Sequence, residues 1–479
     1  MTHTGTLRTE IAVIGSGPGG ATTARILAEK GKDVIILEEG PDLPLESCAP
    51  FSIGEMTQKY RAGGLNPAMG PGPIAFVEAR CVGGGSEINS ALYHRTPDSV
   101  LEDWRDRFQV RDTRSDDLLP HFLCNENALS VGTMPGAPPL ASRKLAEGAA
   151  MLGWRSLEVP RAFSYDNAPG ADGVPVGTRQ SMTKTFLPKA LRAGAKLMHS
   201  CRVQRLRSSG RGWSILAAQG NRPIEITAET VFLCAGALQT PLLLRRSGVT
   251  ENVGNSLAMH PTVKVVAEFD EEVNHERLGV SVHQVKEFSP RIGFGCSISS
   301  PPYLALALAD YPGIAPQLRQ RWRHMAIYYA MITGPNTGRV RPVFGLPDPS
   351  IRYRLTDPDL RDLSTAMRRL TALLMAAGAR RVYPSYRGAR PLRGQDEISA
   401  IPGEFTTDQA NITTIHLFSS CPMGEDRTRC AVDSTGRVHG VPGLIVNDAS
   451  LLCTAPGVNP QGTIMALARR NALHFLGEL

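Results

Sequence analysis

A glycine-rich turn between two short apolar strands is the feature that most constrains how this chain folds. Residues 10–15 form an apolar, β-branched run that ends in glycine, the usual pattern of a buried parallel strand. Residues 20–30 follow with helical spacing, and residues 33–38 form a second buried run. The glycines of the turn have the spacing Gly-x-Gly-x-x-Gly: Gly15, Gly17 and Gly20. This order predicts a βαβ unit that binds a dinucleotide.

Each part of this unit has a physical role in the predicted nucleotide site. The glycines allow a tight turn and a close approach of the backbone to a pyrophosphate, while the helix N-terminus supplies N–H groups. Glu38, at the end of the second strand, can accept hydrogen bonds from both ribose hydroxyls and would repel the 2′-phosphate of NADP. A plain glycine-rich turn is the alternative, and the ordered strand, helix, strand and acid favour the nucleotide site. The motif does not distinguish FAD from NAD.

Two further strand-turn-helix patterns, at 230–244 and from 443 onwards, resemble the first in type although they lie far from it in sequence. They predict one Rossmann-like nucleotide-binding domain that is assembled discontinuously, within an α/β fold. Residues 261–409 differ, because an alternating run begins at Val263 and an amphipathic helix covers 357–377. This mixture predicts a second, α+β substrate domain.

Composition limits the classes of protein that the chain can belong to. A chain of 479 residues with 42% apolar composition exceeds the size of a single core, which favours two domains. The net charge of +7 comes from arginines spread along the chain, so we expect no nucleic-acid partner. Nine cysteines without a C-x-x-C pair predict reduced thiols, no disulfide framework and no metal site. We expect no signal peptide, no membrane span and a cytoplasmic location.

Two segments carry a resemblance to a known family. Residues 79–89, Ala-Arg-Cys-Val-Gly-Gly-Gly-Ser-Glu-Ile-Asn, resemble the glycine-rich core of the first signature of the glucose-methanol-choline (GMC) flavin oxidoreductases. Residues 236–249 resemble the second signature, although Thr250 stands where that pattern ends in glycine. The resemblance implies a Rossmann-like FAD-binding domain in three parts, 1–110, 191–260 and 411–479. A connecting segment, 111–190, and a substrate domain, 261–410, complete the expected organisation.

The same resemblance implies that the nucleotide is FAD and that it is bound non-covalently. Family members that attach the flavin through histidine can do so from the position before the signature asparagine, which here is Ile88. The resemblance places Val203 against adenine through its backbone and Asp448 near the ribityl-pyrophosphate region. For Asp448, a turn or helix-capping carboxylate is the alternative. The residues expected along the ribityl chain and the ring edge are Gly83, Gly84, Ser86 and Asn89.

Among the eleven histidines, His416 matches the catalytic histidine of the family. Hydride transfer from a carbinol carbon requires loss of the hydroxyl proton, and histidine is the usual base near neutral pH. The chain departs from the common His-x-x-Gly-Thr pattern, because Ser419 and Ser420 replace the last two residues. This substitution bears on the local turn geometry more than on the role of His416. His260 matches a family position that is usually structural.

Asn459 matches the second active-site position of the family, where an amide can orient the substrate oxygen. Its alternative is structural, with Asn459 as the N-cap and Pro460 as the first residue of the final helix. If that helix begins at Pro460 and points at the flavin, its N-terminus would stabilise the negative charge of the reduced ring.

The resulting hypothesis is FAD-dependent oxidation of a primary or secondary alcohol to an aldehyde or ketone, with His416 as base. Hydroxynitrile lyases and photodecarboxylases share this fold, so both activities stay open, as do a flavin-binding protein without enzymatic activity and an NAD-linked enzyme. The substrate is expected to be a small alcohol, and tyrosines and arginines in 303–341 would suit a polyhydroxylated or acidic one. The sequence does not identify the electron acceptor or the oligomeric state.

Overall fold

The computed structural model describes residues 7–169, 175–210, 212–276 and 281–479. Within these ranges the chain is a mixed α/β protein built on two large sheets. The α-helices of the described ranges are α1 (Pro18–Glu29), α2 (Ile53–Lys59), α3 (Asp98–Phe108), α4 (Ser115–Ala128), α5 (Leu140–Met151), α6 (Phe186–Arg192), α7 (Gly236–Arg246), α8 (Pro301–Ala307), α9 (Ala315–Arg321), α10 (Asp357–Ala376) and α11 (Gln461–Leu476).

The first sheet has seven strands and a parallel centre. Its strands are β1 (Leu7–Ile14), β2 (Val34–Leu37), β9 (Lys196–Met198), β10 (Cys201–Ser208), β11 (Trp213–Gln219), β12 (Arg222–Leu233) and β23 (Leu444–Val446). The order is β10-β11-β12-β1-β2-β9, and the last residues of β12 also pair with β23. In register, Ile14 lies beside both Leu37 and Leu233. The carboxyl ends of these strands therefore meet at one edge, where doubly wound sheets bind nucleotides.

The second sheet has nine strands and forms the base of the other domain. Its strands are β3 (Asn66–Ala68), β4 (Ile74–Phe76), β6 (Ser156–Glu158), β14 (Thr262–Glu268), β15 (His283–Val285), β16 (Ile292–Cys296), β17 (Met325–Ile332), β20 (Arg381–Pro384) and β21 (Thr413–Thr414). Helix α10 buries Leu363, Met367 and Leu370 in the hydrophobic core that it shares with this sheet. The Thr356 side chain caps this helix by accepting a hydrogen bond from the backbone N–H of Asp359, in a capping box.

Three small sheets complete the described strands. They consist of β5 (Val131–Gly132) with β7 (Arg161–Pro169) and β8 (Pro175–Arg179), of β13 (Ala258–Met259) with β22 (Leu417–Phe418), and of β18 (Arg339–Arg341) with β19 (Ser350–Arg352). The antiparallel β13–β22 pair sets Met259 opposite Leu417. Because His260 follows one strand and His416 precedes the other, this pairing brings the two histidines together.

The sequence patterns predict most central elements to within a few residues. Helix α10 ends one residue before the predicted limit, whereas α1 begins at Pro18, two residues before the predicted run. Strands β3, β4, β6 and β21 join the second sheet although they lie outside the segment 261–410 that we assign to the substrate domain. Hydrophobic periodicity does not report these pairings, because they join short strands that are distant in sequence. No helix in the four described ranges is long and apolar enough to cross a membrane.

Candidate active site

One cavity at the carboxyl edge of the first sheet gathers most of the predicted site residues. It is lined by Gly15, Gly17, Glu38, Gly84, Asn89, Val203, His416, Asp448, Asn459 and Pro460. Three predicted residues, Gly20, Gly83 and Ser86, are absent from this lining and lie behind it. The tertiary structure thus brings together segments that are more than 400 positions apart in the chain.

Two glycine-rich loops meet face to face at the floor of the cavity. Gly15 has a φ of +101°, and a Cβ there would lie 2.3 Å from the carbonyl oxygen of Cys234. A Cβ on Gly84, which has a φ of +55°, would lie 2.8 Å from the Cα of Gly17. No side chain caps α1, whose N-cap is Gly17, so its first N–H groups are free for a ligand. This cradle fits the pyrophosphate of a dinucleotide.

Hydrogen bonds from within the protein occupy most acceptor positions of the Glu38 carboxylate. Its Oε2 accepts hydrogen bonds from the backbone N–H and the hydroxyl of Ser16, at 3.0 and 2.7 Å, and its Oε1 accepts from Gly40 N–H at 2.8 Å. A carboxylate has about four acceptor positions, so one remains for a ribose hydroxyl. The expected contact of Glu38 with the ribose stays a prediction. Burial raises the pKa of Glu38 despite these hydrogen bonds.

The segment from Gly83 to Asn89 is held in place by its own polar groups. The Ser86 hydroxyl donates to the Gly83 carbonyl at 2.8 Å and accepts from Met182 N–H at 2.9 Å. Ser86 therefore closes the loop and does not face the cavity. The Asn89 amide donates to the side-chain oxygen of Gln461 at 2.5 Å, which ties this loop to the N-terminus of α11.

The Asp448 carboxylate caps the short 3-10 helix Ala449–Leu451. Its Oδ2 accepts from Gly236 N–H at 2.8 Å and from the Thr240 hydroxyl at 2.6 Å. Its Oδ1 accepts from the backbone N–H and the hydroxyl of Ser450, at 2.8 and 2.5 Å. These four hydrogen bonds fill its acceptor positions, and burial raises its pKa. Asp448 lines the cavity, and its expected hold on the ribityl-pyrophosphate region stays a prediction.

Val203 and Pro460 are the remaining residues predicted to contact the cofactor. Val203 lies in β10, where the pairing with β11 is irregular between Val203 and Arg205. Such a bulge leaves backbone groups unpaired at the cavity wall, and the adenine contact stays a prediction. Pro460 is the N-cap of α11, which begins at Gln461.

His416 lies on the cavity wall with His260 directly behind it. The two Nδ1 atoms are 3.0 Å apart, and the ring planes meet at 83°. Burial, with a further contribution from the charge of Lys286, lowers the pKa of His416 to about 4. His416 is therefore neutral at pH 7, as a proton acceptor must be.

Asn459 is oriented by a second network on the substrate-domain side. Gln284 Nε2 donates to Asn459 Oδ1 and to the Tyr329 hydroxyl, both at 3.0 Å. The Oε1 of Gln284 then accepts from His94 Nε2 at 3.1 Å. Because its oxygen is occupied, Asn459 keeps its amide N–H groups for a ligand. The helix-cap alternative is wrong for Asn459, since Pro460 holds the N-cap position.

The two serines after His416 have different roles. Ser419 has a φ of +65°, a left-handed conformation that favours glycine, and its buried hydroxyl has no hydrogen-bond partner among the described residues. The Ser420 hydroxyl donates to the Ala237 carbonyl at 2.6 Å. A serine thus occupies a left-handed turn position here.

The sequence alone did not identify two contacts of the site. His260 is a structural position in the resemblance, yet it touches His416 directly. Gln284 belongs to no motif. It lies in a short strand far from both signatures, and no sequence pattern indicates its contact with Asn459. The described ranges contain no cluster of three or more His, Cys, Asp or Glu that is arranged to hold a metal ion.

Sequence models of both domains of the GMC oxidoreductases match this chain, the N-terminal one over residues 19–262 and the C-terminal one over 336–468. The chain belongs to the GMC oxidoreductase family. This GMC oxidoreductase is 39% identical to the uncharacterized GMC-type oxidoreductase y4nJ of Sinorhizobium fredii, over 97% of the chain and 94% of that relative.

More distant relatives have named activities. This oxidoreductase is 25% identical to the long-chain-alcohol oxidase FAO4B of Arabidopsis thaliana, over 96% of the chain and 66% of that relative. Its fold matches the crystal structure of pyridoxine 4-oxidase from "Mesorbium loti" with a TM-score of 0.73 and 20% identity, over 98% of this chain and 99% of that one. The structural match supports the fold, including the Rossmann domain and a second domain beside it.

Proposed function

We propose that this GMC oxidoreductase oxidises a primary or secondary alcohol to an aldehyde or ketone, with FAD as the hydride acceptor and His416 as the base. One observation carries the proposal. A neutral histidine and an amide with free N–H groups, His416 and Asn459, line the same cavity as the dinucleotide cradle. A base and a donor beside a flavin-sized site are the groups that alcohol oxidation requires.

The residues present fit FAD, bound without a covalent link. The cradle of Gly15, Gly17 and Gly84 would hold the pyrophosphate, and Glu38 would accept from one ribose hydroxyl. Ile88 has no nucleophilic atom, which supports non-covalent binding. When bound, FAD supplies N5 as the acceptor of the hydride. The N-terminus of α11, which no side chain caps, would favour negative charge near it.

Asn459 and His416 would have different roles toward the substrate. The amide N–H groups of Asn459 would donate to the substrate oxygen and orient the carbinol carbon. His416 would accept the hydroxyl proton as a neutral imidazole, because its low pKa keeps the ring uncharged at neutral pH. The Gln284 network would hold Asn459 in this orientation.

The class of alcohol is supported only in outline. The names of the two relatives, a long-chain-alcohol oxidase and a pyridoxine oxidase, both describe enzymes that act on hydroxyl-bearing compounds. Their identities of 25% and 20% support an alcohol donor without selecting between an apolar and a ring-bearing one. The electron acceptor is left open.

Anaerobic bleaching of the oxidised flavin band tests the proposal. Purified holoenzyme is mixed with long-chain alcohols, sugars, amino alcohols, sterols and hydroxymethyl heterocycles. We expect one class to bleach the band and to yield the carbonyl product. The His416→Ala variant should retain FAD and slow this reduction by at least ~10²-fold. A flavin that dithionite reduces but no alcohol of the panel reduces would contradict alcohol oxidation and favour a lyase or a photochemical role.

A further inference from the structure

Both ring nitrogens of His260 are engaged inside the protein. Only 1% of this residue is exposed, and its ring lies behind His416 as seen from the cavity. Its Nε2 is 3.1 Å from the backbone nitrogen of Gly457, and its Nδ1 is 3.0 Å from Nδ1 of His416. Gly457 has a φ of +69°, and its backbone lies close to Pro290.

These two contacts determine where the protons lie. A backbone N–H can only donate, so Nε2 of His260 must be an unprotonated acceptor. A neutral imidazole with a bare Nε2 carries its proton on Nδ1. That proton points at Nδ1 of His416, which must then be the acceptor. A neutral His416 with a bare Nδ1 carries its own proton on Nε2, the nitrogen left for the cavity.

We propose that His260 is a positioning residue that holds resting His416 in its Nε2–H tautomer. The chain of hydrogen bonds runs from Gly457 N–H to His260 and from His260 to His416. In this tautomer, Nε2–H of His416 would donate a hydrogen bond to an incoming hydroxyl. Its use as a base, which rests on the proposed function, requires the other tautomer.

The other tautomer conflicts with the backbone. It carries the same two protons, now on Nδ1 of His416 and on Nε2 of His260. The Nε2–H of His260 would then face the N–H of Gly457 at 3.1 Å, and both buried donors would lack an acceptor. An unsatisfied buried donor costs about 1–3 kcal/mol, so this form should be roughly 5- to 140-fold less populated.

A charged His260 conflicts with the same backbone group. The imidazolium has N–H on both nitrogens and would also direct a proton at Gly457 N–H. The titratable groups that act electrostatically on His260 are His416 and Lys286, and a positive charge on either disfavours an imidazolium there. The neutral Nδ1–H form is therefore the one that satisfies every partner of His260.

Nitrogen NMR of the oxidised holoenzyme, labelled with ring-¹⁵N histidine, tests this inference. The His416 signals are assigned by their loss in the His416→Gln variant. In the wild type we expect His416 to show a protonated Nε2 and an unprotonated Nδ1 at pH 7. A wild-type His416 that carries its proton mainly on Nδ1 would overturn the proposal.

The His260→Asn variant measures the contribution of His260. An asparagine amide can offer either N–H or oxygen to His416 Nδ1, and it is too short to depend on Gly457. We expect the Nδ1–H form of His416 to rise at least fivefold relative to the Nε2–H form. His94→Asn is the matched control, because His94 contacts Gln284 and not His416. An unchanged His416 tautomer ratio in folded His260→Asn would contradict the role of His260.

The tautomer measurement is independent of the substrate. If no alcohol reduces the flavin but His416 carries its proton on Nε2, the proposed function fails and the role of His260 stands. If alcohols reduce the flavin but His416 carries its proton on Nδ1, the proposed function stands and the role of His260 fails.

Discussion

Gln284 Nε2 lies 3.0 Å from Oδ1 of Asn459 and donates a hydrogen bond to it, across the junction between the two sheets. This bond decides which end of the Asn459 amide faces a ligand. Because Gln284 is in β15 and Asn459 precedes α11, the substrate domain sets the orientation of a group at the flavin site. Residues of both domains therefore meet at the candidate site.

Replacing Gln284 by leucine should misorient Asn459. We expect the rate of flavin reduction by the alcohol substrate to fall by roughly 10- to 100-fold, because small misplacements of a positioning group are costly. Anaerobic stopped-flow measurement of the flavin band gives this rate. Tyr329→Phe is the control, since it removes a partner of Gln284 and leaves the bond to Asn459. An equal loss in both variants would argue against the orienting role of Gln284.

Replacing Ser419 by glycine should stabilise the protein. Ser419 has a left-handed φ of +65°, and its buried hydroxyl makes no hydrogen bond within the described ranges. Glycine adopts this conformation without steric cost, so we expect a gain of about 1 kcal/mol in the free energy of unfolding. Chemical denaturation measures it. Ser420→Gly, which loses a hydrogen bond to Ala237, should instead destabilise; a loss in both variants would contradict the argument.

Replacing Lys286 by methionine should raise the pKa of His416. The Lys286 amine is buried and has no hydrogen-bond partner among the residues that the structure describes. Burial lowers its own pKa to about 8, and its charge lowers the pKa of His416. At pH 7 the lysine is therefore mostly charged, and its removal should shift the acidic limb of the pH profile of flavin reduction upward. Lys264→Met, which removes another buried lysine, should leave that limb unchanged. A downward shift in Lys286→Met would contradict this electrostatic effect.

Acid should destabilise the fold through its buried histidines. Burial lowers the pKa of His94 to about 3 and holds that of His260 well below 6.5. Below pH 6.5 the unfolded chain therefore binds protons that the folded protein does not, and the free energy of unfolding falls as the pH falls. Denaturation of the holoenzyme at pH 7 and pH 5 measures this decrease. We expect a smaller decrease in His260→Asn, and an equal one would exclude His260 as a contributor.

Local sequence patterns predict the nucleotide half of this protein. The spacing of Gly15, Gly17 and Gly20 between two apolar runs predicts the βαβ unit, because tight turns and buried strands require those residue types locally. The amphipathic repeat of residues 357–377 predicts α10 for the same reason. The resemblance at 79–89 and 236–249 added the family and directed attention to His416 and Asn459.

The contacts around His416 and Asn459 follow from how the chain folds in three dimensions. His260 and His416 meet because β13 pairs with β22, and Gln284 meets Asn459 because β15 lies beside the final loop. Four protein donors fill the acceptor positions of the Asp448 carboxylate, an arrangement that no local pattern predicted. Hydrogen-bond partners and proton positions depend on distances between segments far apart in the chain, and local sequence pattern carries no record of those distances.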